Sequence, residues 1–123
     1  MTGGKMINSV RKVNKPWGFE EIFAETEQYV GKILNIDPGH RLSLQYHEEK
    51  EETLYVIQGT LTIWNSEDDM SYMLCGPGSV YHVKPGQVHR FGADENEREM
   101  VRILEVSTPQ LDDVVRLADD YKR

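Results

Sequence analysis

Apolar and polar positions alternate along most of this chain with a period of two, the spacing that sends successive side chains of a strand to opposite faces. The alternation comes in short runs: Trp17 to Phe23, Tyr29 to Asp37, Arg41 to His47, Glu52 to Gln58, Thr60 to Trp64, Ser71 to Cys75, Ser79 to Val83, Val88 to Ala93 and Val101 to Ser107. Turn residues separate them, notably Asp37-Pro38-Gly39, Gln58-Gly59, Gly76-Pro77-Gly78 and Pro85-Gly86, which supply the fixed or positive φ of tight turns. Many short strands at close spacing predict an all-β sandwich or barrel rather than a parallel α/β sheet. The two ends differ from the middle. Residues 1–14 read as a loose basic arm with one edge strand over Ile7 to Val13. At the other end Thr108 and Pro109 suit a helix start, and Leu111, Val114, Val115 and Ala118 fall at helical spacing. They predict one short C-terminal helix packed on the outside of the barrel.

A length of 123 residues suits one domain, here 15–123 behind the arm. No apolar run approaches the roughly 20 residues of a membrane span, and the opening residues lack the apolar core and cleavage site of a signal peptide. The expected location is therefore cytoplasmic, with no membrane partner. Cys75 is the single cysteine, so any metal ligands must be His, carboxylate or amide groups. With 21 acidic against 14 basic residues the formal charge is −7, which repels nucleic acid and leaves a small molecule as the expected ligand. An anionic ligand would need a local cationic pocket.

Within Arg41 to His47 the alternation puts Arg41, Ser43, Gln45 and His47 on one face and Leu42, Leu44 and Tyr46 on the other. After the acidic turn Glu48-Glu49-Lys50-Glu51, the next strand opens with Glu52, within reach of His47 in an antiparallel pair. A third segment brings His89 in after the Pro85-Gly86 turn. Two imidazoles, one carboxylate and one amide oxygen make a plausible set for one divalent ion, Zn, Mn, Fe or Ni, with positions left for water or substrate.

The spacing from Gly39 through Gln45, His47 and Glu52 to Gly59 resembles the first motif of the cupin superfamily, and Gly78 to Gly86 and His89 resembles the second. Gln45, where cupins usually place His, is similar to the cupin domain of type II phosphomannose isomerases. So are Lys15-Pro16-Trp17-Gly18, Lys32, Arg41 to His47, His89-Arg90 and the tail from Leu111 to Arg123. Lys50 stands where that family carries Arg, and Lys122 where it carries Gly. The resemblance implies an all-β, single-domain cupin β-barrel (a double-stranded β-helix or jelly roll), a homodimer, and a metal-dependent isomerase of the mannose-6-phosphate type acting on a sugar or sugar phosphate. A non-haem iron dioxygenase and a non-catalytic carbohydrate-binding or regulatory cupin are the alternatives. No glycine-rich nucleotidyltransferase signature occurs in these residues, so formation of GDP-mannose is not expected of them.

The remaining candidates carry two readings each. Glu52, His82 or a cavity lysine would serve an isomerase as the proton carrier, while His82 could equally be a packed ring. Arg41 is a phosphate or carboxylate clamp or a surface ion pair. Trp17 stacks on a sugar or fills the core. Lys32, sharing a face with Leu34 and Ile36, is drawn inward by an anion or snorkels at an edge. Arg116 matches the family's closing Arg, which the resemblance places near the substrate.

Overall fold

The computed structural model describes residues 9–122, and among them every regular element is a strand. In chain order these are β1 (Arg11–Lys15), β2 (Gly18–Glu25), β3 (Val30–Ile36), β4 (Leu44–Tyr46), β5 (Glu52–Gln58), β6 (Leu61–Trp64), β7 (Tyr72–Cys75), β8 (Val80–Val83), β9 (Arg90–Ala93), β10 (Val101–Ser107) and β11 (Val115–Ala118). All pairings are antiparallel. One sheet runs β1-β2-β3-β10-β5-β8, a second β7-β6-β9, and a third pairs β11 with β4. Backbone bridges Arg41 to Gly92 and Gln45 to His89 tie the second and third sheets together. Leu34 and Ile36 of β3, Leu54 and Val56 of β5, and Val101 and Ile103 of β10 meet Leu61, Ile63, Phe91 and Ala93 from the opposite layer. This is the antiparallel double layer that the alternation predicts.

The inner face of the large sheet changes character along its strands. On β10 the inward positions are Val101, Ile103, Glu105 and Ser107, and on β5 they are Glu52, Leu54 and Val56. Glu105 lies opposite Lys32, and Ser107 opposite Glu52. One end of the barrel is therefore packed with hydrocarbon and the other with charge.

The expected C-terminal helix is absent. Residues 108–114 form turns, and β11 pairs Val115 with Tyr46 and Arg116 with Gln45. The helical spacing of Leu111, Val114, Val115 and Ala118 is coincidental, because β4 needs a partner for its backbone groups and the Val114-Val115 pair favours a strand. The expected Ile7 to Val13 strand begins outside the described residues. What is described is β1, displaced toward Lys15, and it pairs with β2 of its own chain. The expected strand from Arg41 to His47 is regular only at Leu44–Tyr46.

Candidate metal centre

Three segments converge at the charged end. His47 follows β4, Glu52 opens β5, and His89 directly precedes β9, where both its backbone groups bond Gln45 (Gln45 N–H to His89 O, 3.0 Å; His89 N–H to Gln45 O, 2.9 Å). Gly86, at φ 80°, makes the turn that leads into His89, and its N–H donates to the His47 carbonyl at 2.7 Å. A residue with a side chain would be strained there.

Both imidazoles are oriented from behind. His47 Nδ1 bonds the Asp113 carbonyl and His89 Nδ1 bonds the Gln87 carbonyl at 3.0 Å. A carbonyl only accepts, so each Nδ1 carries the proton and each Nε2 presents its lone pair. Those Nε2 atoms lie 3.7 and 3.4 Å from Glu52 Oε1, too far for a good hydrogen bond. Both are buried without a hydrogen-bond partner. Buried polar atoms left unsatisfied are costly, and two such nitrogens converging on one carboxylate, with one ligand atom from each residue all within 4.8 Å of one another, suit a divalent cation. The donor set, two neutral imidazoles and a carboxylate, fits a borderline metal.

Behind Glu52 runs a ladder of buried charge. Lys50 Nζ lies 3.2 Å from both Glu52 Oε2 and Glu105 Oε2, and Lys32 Nζ lies 3.7 Å from Glu105 Oε2 and 3.0 Å from Glu20 Oε2. Burial alone would raise the Glu52 carboxyl, but the imidazoles when protonated and the Lys50 ammonium outweigh it and hold the group well below the usual carboxylate range. Burial would likewise lower Lys50, yet Glu105 and Glu52 raise it, so it stays charged. Glu105 is pushed up to about 7 by burial and by Glu52, against the pull of Lys32 and Lys50. Burial lowers His89, against the attraction of Glu52, which favours the neutral ring that a ligand requires.

In front of the site is a cavity of about 190 Å³ whose wall includes Ser43, Gln45, His47 and Lys50, with Arg11, Lys15, Lys32 and Arg116 around it. Glu52 and His89 lie behind this wall. Gln45 joins the cavity, but its Oε1 accepts a hydrogen bond from Ser43 Oγ at 2.6 Å, so one lone pair of the expected ligand atom is already engaged.

The other expected residues divide. Trp17 is buried in the hydrophobic core with one surface on the cavity. Lys32 is drawn inward, and the anions that hold it are Glu20 and Glu105. Arg116 lines the cavity from β11. His82 does not join: it pairs with Thr53 on the outward face of the sheet, its Nδ1 3.0 Å from Thr53 Oγ1 and its Nε2 2.7 Å from Glu51 Oε2. Arg41 turns away as well, and the reason is a bulge. Four steps along the chain from Arg41 to Gln45 oppose three from His89 to Gly92, and one extra residue reverses the face. Arg41 instead holds Asp120 at 2.6 and 3.0 Å and Asp69 at 3.2 Å, with its guanidinium over Trp64. Lys50, Glu105, Glu20 and Asp113 were not expected at the site. The inward alternation on β10 was the available signal for Glu105, whereas Lys50 sits in a charged run that reads as solvated.

The family model described as mannose-6-phosphate isomerase, C-terminal, matches residues 2–119. Among curated proteins the chain is similar to the xanthan biosynthesis protein XanB of Xanthomonas campestris (28% identical, 92% of this chain, 24% of that protein). It is likewise similar to mannose-1-phosphate guanylyltransferase of Escherichia coli (28%, 92% and 23%). It thus spans about a quarter of the length of these relatives. A shorter match, 32% identical over 66 residues and covering 54% of this chain and 19% of the other, is to quercetin 2,3-dioxygenase of Bacillus subtilis. Among solved structures, a cupin-like protein from Thermotoga maritima superposes with a TM-score of 0.70 (17% identical, 85% of this chain, 78% of that one). A double-stranded β-helix protein from Klebsiella pneumoniae does so with 0.67 (17%, 98% and 96%).

Proposed function

The chain belongs to the mannose-6-phosphate isomerase C-terminal family, with an all-β cupin fold, and from that premise we propose that it binds one divalent metal through His47, Glu52 and His89 and isomerises a sugar phosphate between aldose and ketose. The observation that carries this reading is the convergence of two unpartnered imidazole nitrogens and a carboxylate beside a cavity walled by basic side chains, in a chain whose overall charge is negative. A volume of about 190 Å³ falls below the roughly 300–1,000 Å³ of sites for drug-sized ligands, which suits a monosaccharide.

When bound, the metal would act as a Lewis acid toward the substrate's carbonyl and adjacent hydroxyl, acidifying the proton on C2. Lys50, held protonated beside Glu52, supplies a positive charge to the same oxygens. Glu52 is committed between the imidazoles and Lys50, and His82 faces outward, so the proton carrier in this reading is Glu20, a carboxylate on the cavity wall whose Oε2 is held by Lys32. Arg11, Lys15 and Arg116 then meet the phosphate, and Gln45 orients a hydroxyl or water. Solvent exchange of the C2 hydrogen of mannose 6-phosphate, or the interconversion itself, tests this. Binding without exchange would remove the isomerase reading in favour of a carbohydrate-binding role. A His47→Ala variant is expected to fold and to lose the stoichiometric metal, and one that keeps a full equivalent would overturn the ligand assignment.

Two imidazoles and one carboxylate are also the ligand set of non-haem iron oxygenases, and the partial match to a dioxygenase favours this as the second reading. Oxygen uptake by the iron-loaded protein separates the two. Assembly as a homodimer is part of the proposal: β1 stands at the end of the six-stranded order, where a second copy could pair with it, and light scattering measures it.

A further inference from the structure

The C-terminal segment approaches the metal centre through one residue. The Asp113 carboxylate accepts three successive backbone N–H groups, from Glu48 at 3.0 Å, Glu49 at 2.7 Å and Lys50 at 2.8 Å. Its backbone carbonyl takes the proton of His47 Nδ1. These bonds span more than sixty residues of sequence, and they fix two things at once: the tautomer of one imidazole, and the turn that carries Lys50 and delivers Glu52 to the site. Three N–H groups aimed at one carboxylate form an anion-binding nest, here filled from within the chain. The N–H bonds hold the carboxyl below its ordinary value. On either side of Asp113, Leu111, Asp112, Val114 and Arg116 line the cavity, and β11 then pairs with β4. Removing the segment would take away a cavity wall together with the acceptor that orients His47.

We propose that residues 111–118 are a strap whose docking is linked to metal binding, with Asp113 as the positioning residue that couples them. The metal favours the ring and turn geometry that the docked strap imposes, so by reciprocity whatever the strap adds to metal affinity the metal returns to strap docking. This inference rests on the metal site of the reading above and is independent of the isomerase chemistry.

The test uses the whole chain and Zn²⁺ alone. Chelator competition should show Asp113→Ala weakening Zn²⁺ binding by about 10- to 100-fold. Asp113→Asn, which keeps one acceptor oxygen in the nest, should weaken it less. In the unmodified protein, saturation with Zn²⁺ should slow hydrogen exchange at the β11 amides by a factor of the same order, a readout that does not depend on either variant folding. Wild-type Zn²⁺ affinity in Asp113→Ala would overturn the proposal. So would β11 amides that exchange at the same rate with and without bound Zn²⁺. Failure of the unmodified protein to take up Zn²⁺ would instead overturn the metal site, and the strap linkage with it.

Discussion

The ladder Glu20, Lys32, Glu105, Lys50 and Glu52 and the outer cluster of Arg41, Asp69 and Asp120 use the same kinds of groups in opposite surroundings. Every ladder side chain is almost wholly enclosed, whereas Asp69 is 65% exposed and Asp120 41%. In the interior, each charge needs an opposite charge or a ligand because water cannot supply either. An atom there with no partner, such as His89 Nε2, is therefore informative. At the surface, solvent completes every shell, so the short Arg41 to Asp120 contacts say more about the tail's position than about stability.

The difference can be broken at its strongest point by Lys50→Met, which leaves Glu52 and Glu105 facing one another without the ammonium between them. Urea denaturation at neutral pH of the metal-free protein should show a loss of about 3–5 kcal/mol, the range for stripping one partner from a buried pair. A loss under about 1 kcal/mol would place the ladder in the same class as the surface cluster. Acidification sharpens the contrast next. Burial holds the His89 ring below its ordinary value, so an unfolded chain takes up a proton near pH 6.5 that the folded chain refuses. The unfolded state then binds more protons, and this group's contribution to stability falls as pH drops below about 6.5, by up to about 1.4 kcal/mol per pH unit for one proton. Bound metal, which keeps the folded imidazoles unprotonated while the unfolded chain still takes up its protons, should steepen the slope relative to the chelated protein. The smallest effect belongs to Asp120→Asn, below about 1 kcal/mol at neutral pH. Arg41 lowers the Asp120 carboxyl, so its contribution is present above the ordinary aspartate value and is lost as pH falls through the lowered one. Wild type and variant should converge in strong acid.

Much of the barrel was legible because period-two patterning and glycine turns act locally. Glu52–Gln58 and Val101–Ser107 have the predicted bounds, and His47, Glu52 and His89 meet as their spacing implied. What was not legible depends on partners distant in sequence. The tail has a helical apolar period, but its fate is decided by the unsatisfied edge of β4 and by three N–H groups at 48–50. Lys50 reads as part of a solvated acidic turn, yet the site encloses it because two carboxylates from other strands need neutralising. Arg41 fails for a smaller reason: alternation assigns faces correctly only until a residue is inserted in the count, and no composition signal marks the insertion between Arg41 and Gln45.

That insertion acts as a phase shift in a two-letter code. Upstream of it the chain is written for the exterior, where Arg41 secures the tail through Asp120; downstream it is written for the cavity, where Ser43, Gln45 and His47 follow one another inward. Mutation can consequently revise the exterior and interior messages separately. Shortening the segment by one residue would merge them, swinging a guanidinium from the outer cluster toward the metal centre and exchanging a tail fastening for a new cationic group in the cavity.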